Sequence, residues 1–173
     1  MTKHLKVGAV ARILQIPVGT IRTWNQREYL PDLEPDRAPG QWRRYSRDDV
    51  LAIGLMSELV TYGSLNPFLA GKTVEGFNPA LLDHTKRRFV CVGHFDDGTT
   101  SVISVAHLAQ LDISRWRYAR RLKPDGTIAA QQREDLPARI CIFDWESIRS
   151  RAERRLQAWA ELVDAGVAGE VED

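Results

Sequence analysis

Arg22, Asn25 and Gln26 stand within about one helical turn of each other in "PVGTIRTWNQREYL", residues 17–30. Each can offer a pair of hydrogen-bonding groups to a base edge: arginine to guanine, asparagine or glutamine to adenine. At about 100° per residue the three share one side of a helix. Ile21 and Trp24 fall on the other side. A helix that packs on its own fold while entering a groove needs that division. A plain solvated helix face would carry the same polar residues, so this stretch alone leaves both readings open. A second cluster lies in "DISRWRYARRLKPDG", residues 112–126, where Arg115, Arg117, Arg120 and Arg121 surround Trp116 and Tyr118. The whole chain has a formal charge of only +1. Positive charge is therefore local, and local patches steer binding to phosphates where totals do not.

Other chemistries find little support. There is no glycine-rich phosphate loop, no serine or cysteine with a histidine partner by motif, and no carboxylate–histidine metal spacing. No catalytic residue, metal site or cofactor is expected. His4, His84, His94 and His107 are scattered without ligand spacing. Cys91 and Cys141 sit in the apolar runs "RFVCVGHF" and "ARICIFDW", which points to buried strand thiols.

The chain has 173 residues, 43% of them hydrophobic, enough for one medium domain or two small ones. Charged residues make up 27%, an ordinary globular share that argues against wholesale disorder. Only five of the 24 basic residues are lysine. A GC-rich genome explains that, and so does phosphate and base-edge recognition, which suits arginine's planar fork. "MTKHLKVGAV" lacks the apolar core of a signal peptide. No run approaches the roughly 18 apolar residues of a membrane helix. A cytoplasmic, nucleoid-associated protein with no membrane partner is expected.

The elements that would position the first cluster can be read from spacing. Val7, Val10, Ala11 and Leu14 repeat at helical intervals. Pro17 ends that helix, and Gly19 or Thr20 can begin the next. Two short helices across so tight a break form a helix-turn-helix. "LPDLEPDRAPGQWRRYSRDDV" turns into a short strand at "QWRRYS". Ser46 and Asp49 make a capping box for a helix with Val50, Ile53, Met56 and Val60 inward and Gly63 as its stop.

In "VARILQIPVGTIRTW", Leu30–Pro31, "GQWRRYS" with Asp49–Val50, and "YGSL" at 62–65, the first third resembles the MerR-type winged helix-turn-helix, including its phage excisionase-like relatives. The resemblance implies that the second helix enters the major groove through Thr20, Arg22, Asn25 and Gln26. It implies backbone contacts by the wing through Arg43, Arg44 and Tyr45. Gly19 and "TWNQREYL" depart from the common pattern of that family.

"VARILQIPVGTIRTW" (10–24) also aligns with "VAHLAQLDISRWRYA" (105–119) at a constant offset of 95. Val, Ala, Gln and Arg are identical, and the apolar and polar classes agree almost throughout. A second, diverged winged helix-turn-helix is the resulting expectation. Arg117, Arg120 and Arg121 take the places of Arg22, Asn25 and Gln26, with Arg115 beside them, and Trp116 and Ala119 face inward. "QQREDLPAR" would be a long wing, and "PARICIFDWESI" a strand running into a helix. An unrelated α+β module, or an arginine-rich solvated face, remain the competing readings. "RRFVCVGHF-DDG-TTSVISV" reads as a β-hairpin, with Phe89, Cys91, Gly93 and Phe95 against Val102, Ile103 and Val105.

The expected class is mainly α with short β-hairpins (α+β): tandem winged helix-turn-helix domains followed by a long C-terminal helix. The divisions are 1–63, a linker over 64–86, 87–145, the helix 146–166 and an acidic tail 167–173. In the last helix Ile148, Ala152, Leu156, Trp159 and Val163 form an apolar stripe. It either packs on its own domain or, as the resemblance implies, makes a homodimer. Double-stranded DNA is the expected partner, with RNA polymerase or phage proteins as further ones. Three functions follow: a transcriptional regulator, a phage-type architectural factor (excisionase-like or terminase small subunit-like), or a protein-binding adaptor with one DNA-binding domain.

Overall fold

A computed structural model describes residues 4–31, 44–81 (side chains of 77–81 excepted), 88–112, 116, 121–129 and 135–167. Val7–Leu14 forms α1 and buries Ala9, Val10, Ala11 and Ile13. The helix stops at Gln15, whose backbone is left-handed (φ 58°) and whose N–H returns to the Ala11 and Arg12 carbonyls. That αL cap opens the turn into α2, Val18–Gln26. Pro17 (φ −55°) is the residue before it, so α2 starts one residue ahead of the expected Gly19. Ile21 and Trp24 are buried, as their spacing requires.

The capping box at Ser46 is present. Asp49 N–H donates to the serine hydroxyl, and Ser46 N–H donates to the Asp49 carboxylate at 2.8 Å. It opens α3, Arg47–Thr61, which is buried continuously from Asp49 to Met56 and again at Leu59. A helix buried on so many sides is central to its fold. The residue with positive φ beyond it is Ser64 (φ 52°), not the expected Gly63.

The connector over 64–86, expected as a linker with at most one short helix, holds a long one: Pro67–Leu81 is a 15-residue helix, α4. Asn66 caps it, its side-chain oxygen accepting from Leu69 N–H at 2.8 Å. Pro67 occupies the first helical position, where a missing N–H costs nothing. Leu69, Ala70 and Val74 are buried, and the helix packs against α3.

Phe89–His94 (β1) and Thr100–Val105 (β2) form the expected antiparallel hairpin, with Phe89 opposite Val105 and Cys91 opposite Ile103. Arg139–Asp144 (β3) is the expected strand, but it pairs with β1 and gives a sheet of order β2-β1-β3. The pleat divides this sheet by face. Val90, Val92 and Phe143 join the core built by the helices. Cys91 and Val105 join a second cluster with Phe95 and Trp116. Burial pushes the Cys91 thiol up to about 11, so it stays protonated.

The second helix-turn-helix is not borne out where it can be followed. The counterpart of α1 would cover 102–109. Residues 102–105 belong instead to β2, and Leu108–Gln110 is a single 3-10 turn. The β-branched run in "TTSVISV" favours a strand, and pairing with "FVCVGH" supplies the partner. The second recognition helix, including Arg115, Arg117, Ala119 and Arg120, lies outside the described residues. So do most of the first expected wing, residues 131–134 of the second, and the tail from 168.

Trp145–Asp164 forms α5, capped by Asp144, whose carboxylate accepts from Glu146 N–H. Arg88 donates to that carboxylate at 2.8 Å and holds it below the usual carboxylate range. Trp145, Ile148 and Ala152 are buried in the core, and Leu156 and Trp159 pack against it. The stripe expected for dimerisation therefore lies largely on α1 and α3 of the same chain. One apolar core takes residues from all five helices and the sheet. The expected boundary between 1–63 and 87–145 runs through it, and the two halves are packed together.

His94 ties the sheet to the helices. Its Nε2–H donates to the Gly63 carbonyl at 2.7 Å, just past the end of α3. Burial holds its protonation below the ordinary histidine range; the bond to Gly63 opposes this, and Arg139 adds to it. The unfolded chain takes up a proton near pH 6.5, and the folded chain does so only at lower pH. Stability should be full above pH 6.5 and fall as pH drops through the folded value. Denaturant midpoints between pH 7 and 5 should decline for the unmodified chain and flatten for His94→Gln. An equal decline in the variant would remove His94 as the cause.

Candidate nucleic-acid interface

The geometry of α2 follows from its two faces. Ile21 and Trp24 anchor it in the core, where α2 packs against α1. Arg22, Asn25 and Gln26 are exposed on the opposite side, and Thr20 is half-buried beside them. The helix-turn-helix thus brings together all four residues expected to face a groove. Thr23 instead turns its hydroxyl back to the Gly19 carbonyl at 2.8 Å. Val18 and Gly19 are exposed at the start of α2. Its C-terminal end is fixed by Tyr29, whose N–H donates to the Trp24 carbonyl at 2.8 Å. The Tyr29 ring meets Phe68 of α4 edge-on, 6.1 Å between centroids.

The wing residues divide. Arg44 is exposed where the chain re-enters the described region. Tyr45 is corrected: only 1% of it is exposed, and it exchanges two backbone hydrogen bonds with Leu5 at 2.8 and 2.9 Å. Its ring is a core element and its backbone pairs with the segment before α1, so the ring cannot lie on a DNA backbone. Arg43 lies outside the described residues.

Arg121 is also corrected. It is 4% exposed, with its guanidinium 3.6 Å above the centre of the Phe95 ring. It donates to the Asp135 carboxylate and to the Asp135 carbonyl, both at 2.9 Å. A cation so stacked and paired is a structural member of the fold. The spacing that aligned it with Gln26 gave no sign of this, because Phe95 and Asp135 reach it from distant segments.

Two basic residues near the turn were not singled out by spacing. Arg12 is exposed on the last turn of α1, and Arg155 of α5 donates to the Gln15 side chain at 2.9 Å. Arg12 has a readable helix position, but Arg155 comes close only through the packing of α5. Among the described residues no group of His, Cys, Asp or Glu could hold a metal ion. No described helix is long and apolar enough to cross a membrane.

Two short helices in a tight turn, the second showing bulky residues to the core and base-reading types to solvent, define a helix-turn-helix of the DNA-binding class. The family model of the MerR HTH family regulatory protein matches residues 5–65, which span α1, α2 and α3. The N-terminal region is a MerR-type helix-turn-helix, and that family consists of DNA-binding regulators. No curated protein matches the chain.

Proposed function

We propose that this protein is a sequence-specific double-stranded DNA-binding regulator that reads base edges through α2. The observation that carries the reading is the split of that helix, with Ile21 and Trp24 buried and Arg22, Asn25 and Gln26 outward. Thr20 borders the reading face, and Arg44 supports it from the wing. One reading module per chain fits best, because β2 occupies the place of a second first helix. The sheet and α5 then serve as a brace for the helix-turn-helix.

Arg22→Ala should relax base preference at one position of the site. The expected loss is about 1–3 kcal/mol of discrimination. Selection of bound duplexes from random DNA, repeated with the variant, measures it. Identical selected sequences and affinities for the two proteins would sink the reading.

The packing of α5 favours a second reading, the phage-type architectural factor. Ile148 and Ala152 are buried in the same chain, which leaves little of the stripe for pairing two copies. A monomer bending DNA beside other proteins suits this arrangement better than a dimeric repressor. Sedimentation of the protein on a selected duplex separates the two: one copy per site supports the architectural role, and a symmetric pair supports the regulator.

A further inference from the structure

Two cations meet at the turn between α1 and α2 from elements far apart in sequence. Arg12 projects from the last turn of α1, and Arg155 arrives from the middle of α5. Arg155 donates to the side chain of Gln15, the residue that makes the turn. The Arg12 guanidinium lies 6.0 Å from the centre of the Trp159 ring, one turn further along α5. Trp159 and Gln15 therefore hold both guanidinium groups to the same corner.

Neither has an ion-pair partner among the described residues. Two arginines one and two turns earlier on α5 differ: Arg149 bonds to Glu153 at 2.9 Å and Arg151 to Glu58 at 2.6 Å. Among the described residues the hydrogen bond of the half-buried Arg155 goes to the neutral amide of Gln15, which leaves its charge uncompensated. Two uncompensated guanidinium groups raise a strong local positive potential. They do so at the turn that leads into α2, where Gln15 stands three residues ahead of Val18. In a docked helix-turn-helix the N-terminal residues of the reading helix meet base edges while the first helix, here the one that carries Arg12, crosses the backbone.

We infer that Arg12 and Arg155 form a phosphate clamp on the DNA backbone flanking the groove that α2 enters. The C-terminal helix, outside the family-matched segment 5–65, thereby becomes part of the DNA-binding surface. This rests on the DNA-binding reading above. Guanidinium groups suit the role because two parallel N–H donors match the phosphate oxygens.

The test is the salt dependence of binding to a fixed duplex of random sequence, about three helical turns long, since phosphate contacts are independent of sequence. Each phosphate contact contributes about 0.9 to the slope of log K against log salt. Arg155→Gln keeps a group that can bond to Gln15 and removes the charge. It should lower the slope by about one and weaken binding several-fold, with thermal stability unchanged. Arg155→Lys should keep the slope. Arg12→Gln with Arg155→Gln should lower it by about two. Gln15→Ala, which loses the hydrogen bond and keeps both charges, should leave the slope near its original value. An unchanged slope in Arg155→Gln overturns the clamp while leaving the reading by α2 intact. Failure of the unmodified chain to bind the duplex overturns both.

Discussion

Gly71→Ala is expected to destabilise the protein by about 3 kcal/mol, near the upper end for overpacked interiors. Gly71 lies one turn into α4, facing the backbone of Tyr29. A Cβ there would overlap the Tyr29 carbonyl oxygen and stand 3.0 Å from its carbon. Backbone cannot swing aside as a side-chain tip can. The segment leaving α2 must move, and Tyr29 is bonded to Trp24 and stacked edge-on against Phe68. The change therefore acts on the helix proposed to read DNA as well as on stability. In thermal melts the midpoint should fall by roughly 6–12 °C for a chain of this size. DNA affinity should fall too at temperatures where the variant is still folded. Gly76→Ala is the control on the same helix. A Cβ added at Gly76 would meet no atom within 4 Å, so alanine there should be neutral or stabilising by up to about 1 kcal/mol. Equal melts for the two variants would remove the close approach at Gly71 as the explanation.

That contact also shows where reading the sequence stops. The first helix pair was legible because its signals are local. Ile21 and Trp24 against Arg22, Asn25 and Gln26 is a pattern within one helix, and the Ser46–Asp49 box joins residues only three positions apart. The "SLNPFLAGKTVEG" segment from Ser64 misled because its loop signals serve a helix. Asn66 caps α4, Pro67 takes the position that tolerates proline, and Gly71 allows a close backbone approach. None of this can be separated from a linker without knowing that Tyr29 lies opposite. The apparent repeat misled for a related reason. Val105, Ala106 and Gln110 match Val10, Ala11 and Gln15 in type, but pairing along β1 claims the segment through Val105 for the sheet. Tertiary pairing overrides a helical pattern when a β-branched run has a partner strand. Tyr45 and Arg121 follow the same logic: their types suit DNA, and distant partners bury them.

Trp116→Ala is the second large effect, expected to cost about 3–5 kcal/mol. Trp116 is fully buried in the cluster with Cys91, Phe95 and Val105. Its ring lies flush on β1 at Gly93, where an added Cβ would stand 2.7 Å from Cε3 and 3.0 Å from Cη2. Gly93→Ala alone should then cost about 1–3 kcal/mol, because a large ring must leave its seat. In the Trp116→Ala background the added methyl has room, and its cost should nearly disappear. Urea unfolding of both single variants and the double variant gives the coupling directly, expected at about 1–3 kcal/mol. The result decides what the arginine-rich stretch around Trp116 is anchored to. If the tryptophan packed on a first helix of a second helix-turn-helix, Gly93 would be a bystander and the two costs would add. Strong coupling means that the stretch is pinned to the sheet through its tryptophan. Arg121, stacked on Phe95 in the same cluster, then belongs to that anchor, and base reading is left to α2.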